Sequence, residues 1–197
     1  MATIHVLDET TINKIAAGEV VERPASVIKE LIENSIDASA TNIEVEIGDG
    51  GVAYMRITDN GIGMTEEDAR LAILRHATSK IQHVEDLFDI ASLGFRGEAL
   101  ASIASVSHFS LTTRKADSDL GTRITVDGGT FTDCIPYGAA PGTTIEIRDL
   151  FYNTPARRKF LKTERTESSK IQDIVGKLAL SNPHISFKLI IDDRVAI

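Results

Sequence analysis

The chain has 197 residues, 42% hydrophobic and 25% charged, with a formal net charge of −8. That composition suits a globular protein with one substantial core. Its acidic balance excludes the broad basic field of a constitutive nucleic-acid binder, so a bound polyanion needs a local basic patch or a metal ion. The single cysteine, Cys134, excludes an internal disulfide and a multi-cysteine metal site. No basic-then-apolar leader opens the chain and no apolar run is long enough for a membrane span, so the expectation is a cytoplasmic protein with no membrane partner.

In chain order, Asp8 is placed to cap a short helix over residues 9–17, with Gly18 ending it. Its narrow stripe of Ile12, Ile15 and Ala16 suits docking on another subunit or on its own domain. Pro24 fits the first turn of a second helix, whose apolar side is Leu31, Ile32 and Ile36. Residues 43–47 alternate apolar and acidic, a half-exposed strand, and residues 48–51 are a hairpin turn into a partner strand at 52–58. Thr65 caps the next helix, with Asp68 at capping-box spacing and Leu71, Ala72 and Leu74 as its apolar side.

From 76 to 95 the pattern loosens into a long loop with one helical turn at 84–87, the length of a lid or binding loop. A helix of small residues follows at 97–105. Strands are predicted at 108–114, 122–126, 130–136 and 143–148. Residues 151–161 form a turn and a short basic helix, and Ile171, Ile174, Val175 and Leu178 mark a last amphipathic helix, broken at Asn182-Pro183. Strands at 185–191 and 195–197 close the chain. Helices and mostly antiparallel strands in separate groups imply α+β, a sheet covered by a helical layer.

Chemistry gathers at a few positions. Glu30 and Asn34 stand four apart on the central helix, so their side chains share a face. A carboxylate can take a proton from water and a carboxamide oxygen can ligate a hard cation, a pairing suited to Mg2+-assisted hydrolysis. The same pair also reads as an ordinary solvated helix face. Asp59-Asn60-Gly61-Ile62-Gly63 reads either as a hairpin or as a ligand site, with glycines that admit a flat ligand and an aspartate that accepts from an exocyclic amine. Gly94-Phe95-Arg96-Gly97 before a helix suits phosphate, and Thr78-Ser79-Lys80 offers two hydroxyls and an ammonium; each also reads as an unremarkable turn or loop. Thr143 opens a strand, with a hydroxyl in reach of a nucleobase. Arg157, Arg158, Lys159, Lys162 and Arg165, opposed only by Glu164, form the best candidate for contacts to a phosphate backbone.

The order Glu30…Asn34, Asp59-x-Gly61-x-Gly63, Gly94-x-Arg96-Gly97 and Gly142-Thr143 resembles the four-motif set of the GHKL ATPases. Residues 15–24, 75–80, 94–100 and 153–160 further resemble MutL mismatch-repair signatures, and the likeness extends over almost the whole chain. The resemblance implies a Bergerat-type two-layer α+β sandwich that binds ATP and Mg2+. Within it, Glu30 is the general base and Asn34 the Mg2+ ligand. Asp59 reads the adenine amino group with Thr143 nearby, and Gly61 and Gly63 admit base and sugar. Thr78, Ser79, Lys80, Gly94, Phe95, Arg96 and Gly97 belong to the phosphate-binding loops and lid.

The resemblance also implies ATP-dependent homodimerisation through the N-terminus. DNA is implied as a partner, contacted by Arg157, Arg158, Lys159 and Lys162, together with mismatch-recognition and downstream repair proteins. The implied boundaries are 1–20 for the dimerisation segment, 21–182 for the ATPase domain and 183–197 for the start of a truncated second domain. A nucleotide-switched interaction module with negligible turnover and a histidine-kinase catalytic domain are the alternatives.

Overall fold

The computed structural model describes residues 18, 20–75, 77 and 97–197. The helix predicted at 9–17 lies outside them, as do the helical turn at 84–87 and Thr78, Ser79, Lys80, Gly94, Phe95 and Arg96.

One sheet carries the structure. Its strands are β1 (Asn42–Gly48), β2 (Tyr54–Asp59), β3 (His108–Arg114), β4 (Gly121–Asp127), β5 (Thr130–Tyr137), β6 (Gly142–Arg148), β7 (Ser186–Ile191) and β8 (Arg194–Val195), in the order β5-β4-β3-β6-β2-β1-β7-β8. All neighbours are antiparallel except β1 and β7, which run parallel. Alternation along the strands sorts residues to two faces. Ile43, Val45, Ile47, Met55, Ile57, Phe109, Leu111, Ile124, Val126, Ile145, Ile147 and Leu189 go to the core. The opposite face is polar and laced with ion pairs, Arg56 reaching Glu46 at 2.5 Å and Lys188 reaching Glu44 at 2.9 Å.

The helices are α1 (Pro24–Asp37), α2 (Glu66–Ala72), α3 (Ala99–Ala104), α4 (Pro155–Phe160) and α5 (Glu164–Ser181). Pro24 occupies the first turn of α1, as its missing N–H allows. Val27, Ile28, Leu31 and Ile32 are fully buried, each contributing roughly 1.5–3 kcal/mol by leaving water, and Ile36 packs half-buried at their edge. Helix α5 lays Ile171 and Val175 against the same core. The two helices are also tied at their starts. Glu167, 0% exposed, accepts from the Lys162 N–H at 3.0 Å and lies 3.8 Å from the guanidinium of Arg23, the residue just before α1. Thr163 caps α5 by accepting from the Thr166 N–H.

Two expectations change. Helix α2 has the predicted Thr65 cap, its Oγ1 accepting from the Asp68 N–H at 3.1 Å, but its apolar side is different. Ala69 is buried with Ala72 and Ile73 beside it, while Leu71 and Leu74 are 49% and 52% exposed. The spacing of 69, 72 and 73 is the face a two-turn helix can lay flat on the sheet, and Leu71 falls off it. Residues 48–51 form a 3-10 turn at Asp49–Gly51, so β2 begins at Tyr54, later than expected. Within residues 183–197, β7 pairs along β1 from Asn42 to Ile47, covering an edge that β1 would otherwise leave open.

Candidate functional site

The site forms where the C-terminal end of α1 meets the ends of β2, β3 and β6. Asp59 closes β2 and faces Thr143, the second residue of β6, in the sheet register. Its carboxylate is held at both oxygens. The Ser35 hydroxyl donates to Oδ2 at 2.9 Å, and the Gly61 N–H donates to Oδ1 at 2.9 Å. A carboxylate has about four acceptor positions, so acceptor capacity is left for a ligand donor. Burial pushes the Asp59 carboxyl above its ordinary value of 3.8, against the lowering effect of the Gly61 N–H, the Ser35 hydroxyl and the Thr143 backbone N–H.

The hairpin reading of Asn60-Gly61 fails, because β2 runs on into α2. The Asn60 side chain instead accepts from the N–H groups of Thr41 and Asn42 at 2.9 and 2.8 Å, pinning the chain as it leaves β2. The glycines are needed for two different reasons. Gly61 lies against Ala38, whose carbonyl oxygen would be 2.7 Å from an added Cβ. Gly63 has φ +65 and would drive a Cβ into the Arg114 carbonyl.

Glu30 and Asn34 lie on α1 upstream of Ser35, both half-buried. Glu30 and Ser35 are five positions apart, about 7.5 Å along the helix axis. One helix therefore carries the clamp on Asp59 at one end and the carboxylate–carboxamide pair further along. Lys29 turns to Glu33, at 2.7 Å, and lies 3.8 Å from Glu30. The oxygens of Glu30 and Asn34 are hard donors, the kind that suits Mg2+ shared with a phosphorylated ligand. Gly97, at φ +61, packs on Ala77, whose carbonyl oxygen would lie 2.5 Å from a Cβ. Of the remaining expected phosphate-loop residues none is among those described.

Two residues of this site escape a reading of the sequence, Ser35 and Thr113. Ser35 has a faint signal, a polar group at helical spacing on the apolar side of α1, where its hydroxyl oxygen also lies 3.1 Å from the Leu31 carbonyl oxygen. Thr113 has none, since threonine is ordinary in a strand. It is buried, and its Oγ1 accepts from the Met64 N–H at 2.9 Å and lies 3.0 Å from both the Gly142 carbonyl and the Thr143 hydroxyl.

The basic segment stands apart. Arg158, Lys159 and Lys162 are exposed on and just after α4, and Phe160 beside them is 82% exposed. Arg157 differs from them. It is half-buried, its guanidinium lies against Gly18, and burial lowers its pKa. The turn before α4 is anchored by Tyr152, which donates to Asp127 at 2.5 Å, and by Asn153, which donates to the Ser105 carbonyl at 3.0 Å. Ser105 ends α3, so this turn joins the basic helix to the helix that follows Gly97.

The chain is similar to proteins of a known family. Residues 22–130 match the family model described as histidine kinase-, DNA gyrase B- and HSP90-like ATPase. A DNA mismatch repair protein MutL of Caldanaerobacter subterraneus subsp. tengcongensis is 57% identical over 99% of this chain, and one of Thermoanaerobacter pseudethanolicus is 58% identical over 99%. The chain spans 33% and 32% of those two proteins, about a third of their length. Among solved structures, the Aquifex aeolicus MutL ATPase domain complexed with ADP superposes with a TM-score of 0.71 at 38% identity, covering 90% of this chain and 63% of that one. An N-terminal domain of a DNA repair protein superposes at 0.78 with 28% identity, covering 94% of this chain and 55% of that one. Among the described residues no helix is long and apolar enough to cross a membrane. With its α+β fold, the chain belongs to the histidine kinase-, DNA gyrase B- and HSP90-like ATPase family, and within it to the MutL-type ATPase domains.

Proposed function

We propose that this chain is the ATP-driven switch of a cytoplasmic DNA mismatch-repair protein, binding ATP with Mg2+ and hydrolysing it. The observation that carries the reading is the joining of Asp59 to α1 through Ser35 at 2.9 Å. One rigid helix then sets the distance between the base-reading carboxylate and Glu30. Asp59 accepts from the adenine amino group, and Gly61 and Gly63 let base and sugar lie against the backbone. Glu30 takes the proton of the attacking water as general base. Asn34 holds Mg2+, which when bound offsets charge on the phosphates. Thr78, Ser79, Lys80, Gly94, Phe95, Arg96 and Gly97 embrace the phosphates.

Ordering of that loop on ATP binding drives homodimerisation through residues 1–20. Arg158, Lys159 and Lys162 contact the DNA backbone, with Arg157 supporting them from beneath, and mismatch-recognition and downstream repair proteins read the switched state.

The test is a calorimetric titration with a non-hydrolysable ATP analogue, with and without Mg2+, joined to single-turnover hydrolysis at rising protein concentration. Glu30→Ala is expected to keep the binding and lose the hydrolysis. Loss of binding with an intact fold sinks the general-base role. Mg2+-dependent binding without turnover at any concentration replaces the ATPase by a nucleotide-switched interaction module.

A further inference from the structure

We infer that Thr113 is a positioning residue for nucleobase selection: it fixes the direction in which the Thr143 hydroxyl can hydrogen-bond. The inference rests on the reading of the Asp59 corner as an adenine site. Nothing in the sequence motifs points to Thr113, which lies on β3, a strand that carries none of them.

A threonine hydroxyl has one proton to donate and two lone pairs to accept with. Three groups surround the Thr113 Oγ1, and it is buried, so water cannot complete its bonding. The Met64 N–H, at 2.9 Å, can only donate and occupies one lone pair. The Gly142 carbonyl, at 3.0 Å, can only accept and takes the single proton. The Thr143 hydroxyl, at 3.0 Å, can play either part. With the proton committed to Gly142, the remaining lone pair of Thr113 accepts from Thr143. This arrangement satisfies all three neighbours at once; the reverse leaves the contact to Gly142 without a proton.

The consequence falls on the ligand side. A Thr143 whose proton is spent on Thr113 offers only lone pairs to a ligand. Its backbone pairs with Asp59 across the sheet, and Asp59 is also an acceptor. Asp59 and the Thr143 hydroxyl therefore both face a ligand as acceptors. An exocyclic amino group, as on adenine, supplies donors to them. Guanine has a carbonyl at the equivalent position and meets acceptors with an acceptor. Without Thr113, the Thr143 proton is free to turn outward and donate to that carbonyl. Thr113 thus excludes the wrong base without touching it.

The experiment titrates the intact chain with non-hydrolysable ATP and GTP analogues and compares the ratio of the two affinities among variants. The unaltered chain is expected to favour the ATP analogue. Thr113→Val, of nearly the same shape, is expected to lower that preference by about tenfold, the size of one redirected hydrogen bond. Thr113→Ser keeps the hydroxyl and is expected to keep the preference. In a Thr143→Ala background Thr113→Val is expected to leave the ratio unchanged. A Thr113→Val chain that binds both analogues more weakly by the same factor overturns the inference, because that is the mark of a purely structural role. So does loss of the preference in Thr113→Ser, which tests the same point should the valine variant not fold. Failure of the unaltered chain to bind either analogue overturns the nucleotide reading itself and this inference with it. Tight binding of both analogues without preference overturns the inference alone.

Discussion

The corner around Asp59 and the basic helix around Arg158 are two ways of preparing for a ligand. At the corner, Asp59 is held by Ser35 and Gly61, and Thr113 is buried and saturated. Every polar group there is aimed before anything binds, so little ordering remains to be done. Helix α4 has no fully buried residue, and its cations other than the half-buried Arg157 stand in solvent on flexible stems. The contrast teaches that selectivity and attraction are separable in this fold. A base is chosen by fixed directions, whereas a polyanion is attracted by summed charge that needs no fixed geometry. On the proposed reading, such a patch lets an acidic chain offer DNA a surface: the charge is local, and the net −8 is spread elsewhere.

The contrast breaks most sharply at Gly63. With φ at +65 and the Arg114 carbonyl in the way, Gly63→Ala is expected to cost the site about 1–2 kcal/mol from backbone strain alone, with the collision on top. Binding of the ATP analogue is expected to fall by two orders of magnitude or more. The control is Gly176→Ala in α5, where an added Cβ meets nothing within 4 Å. It is expected to leave binding intact and to raise stability by up to about 1 kcal/mol. Equal effects of the two substitutions on binding would show that the corner is not specially built.

A smaller effect follows from protonation of Asp59. Its folded-state pKa is raised, so the folded chain holds this proton more tightly than the unfolded chain does. Ionised Asp59 therefore weakens the fold above its folded pKa, and the cost is relieved as pH falls through that value. Binding runs the other way, because a protonated carboxyl no longer offers the full acceptor set. Affinity for the ATP analogue is expected to fall on acidification, beginning at a pH above the ordinary carboxylate value of 3.8. Asp59→Asn is expected to bind weakly with no such titration. A pH-independent affinity for the unaltered chain would remove Asp59 from base recognition.

The smallest effects belong to the basic helix. Arg158→Ala, Lys159→Ala and Lys162→Ala are each expected to leave nucleotide affinity unchanged. Each lowers the slope of log DNA affinity against log salt by about 1. Arg157→Ala sharpens the comparison, because its guanidinium is half-buried against Gly18. A loss of stability in that variant, absent from the other three, separates a packing arginine from the phosphate-seeking cations.

Much of this was legible from residue patterns, for reasons that can be named. Helix α1 announced itself by its apolar spacing and Pro24, the strands by their alternation, and α2 by the Thr65 cap. Each signal is local, set by neighbours within a turn or a pleat. Misreadings came where the deciding contact was distant. Leu71 and Leu74 look like a buried face until the sheet selects Ala69, Ala72 and Ile73 instead. The edge of β1 is covered by β7, more than a hundred residues further on, which no local pattern could announce. The site divides the same way. Glu30, Asn34, Asp59 and Gly63 fall in short motifs whose spacing encodes a shape. Thr113 acquires its role only when β3 and β6 are side by side and Met64 is folded over them.

The sheet described above ends in two strands that make poor partners for another chain. On one side, β5 is exposed along nearly its whole length, yet it carries Pro136, which has no N–H to offer, and its pairing with β4 is interrupted between Thr125 and Val126. On the other, β8 is two residues long. Among the described residues, neither margin presents the long, flat row of unmet donors and acceptors from which fibrils grow. Such margins disfavour the edge-to-edge joining of copies of this chain into an endless sheet.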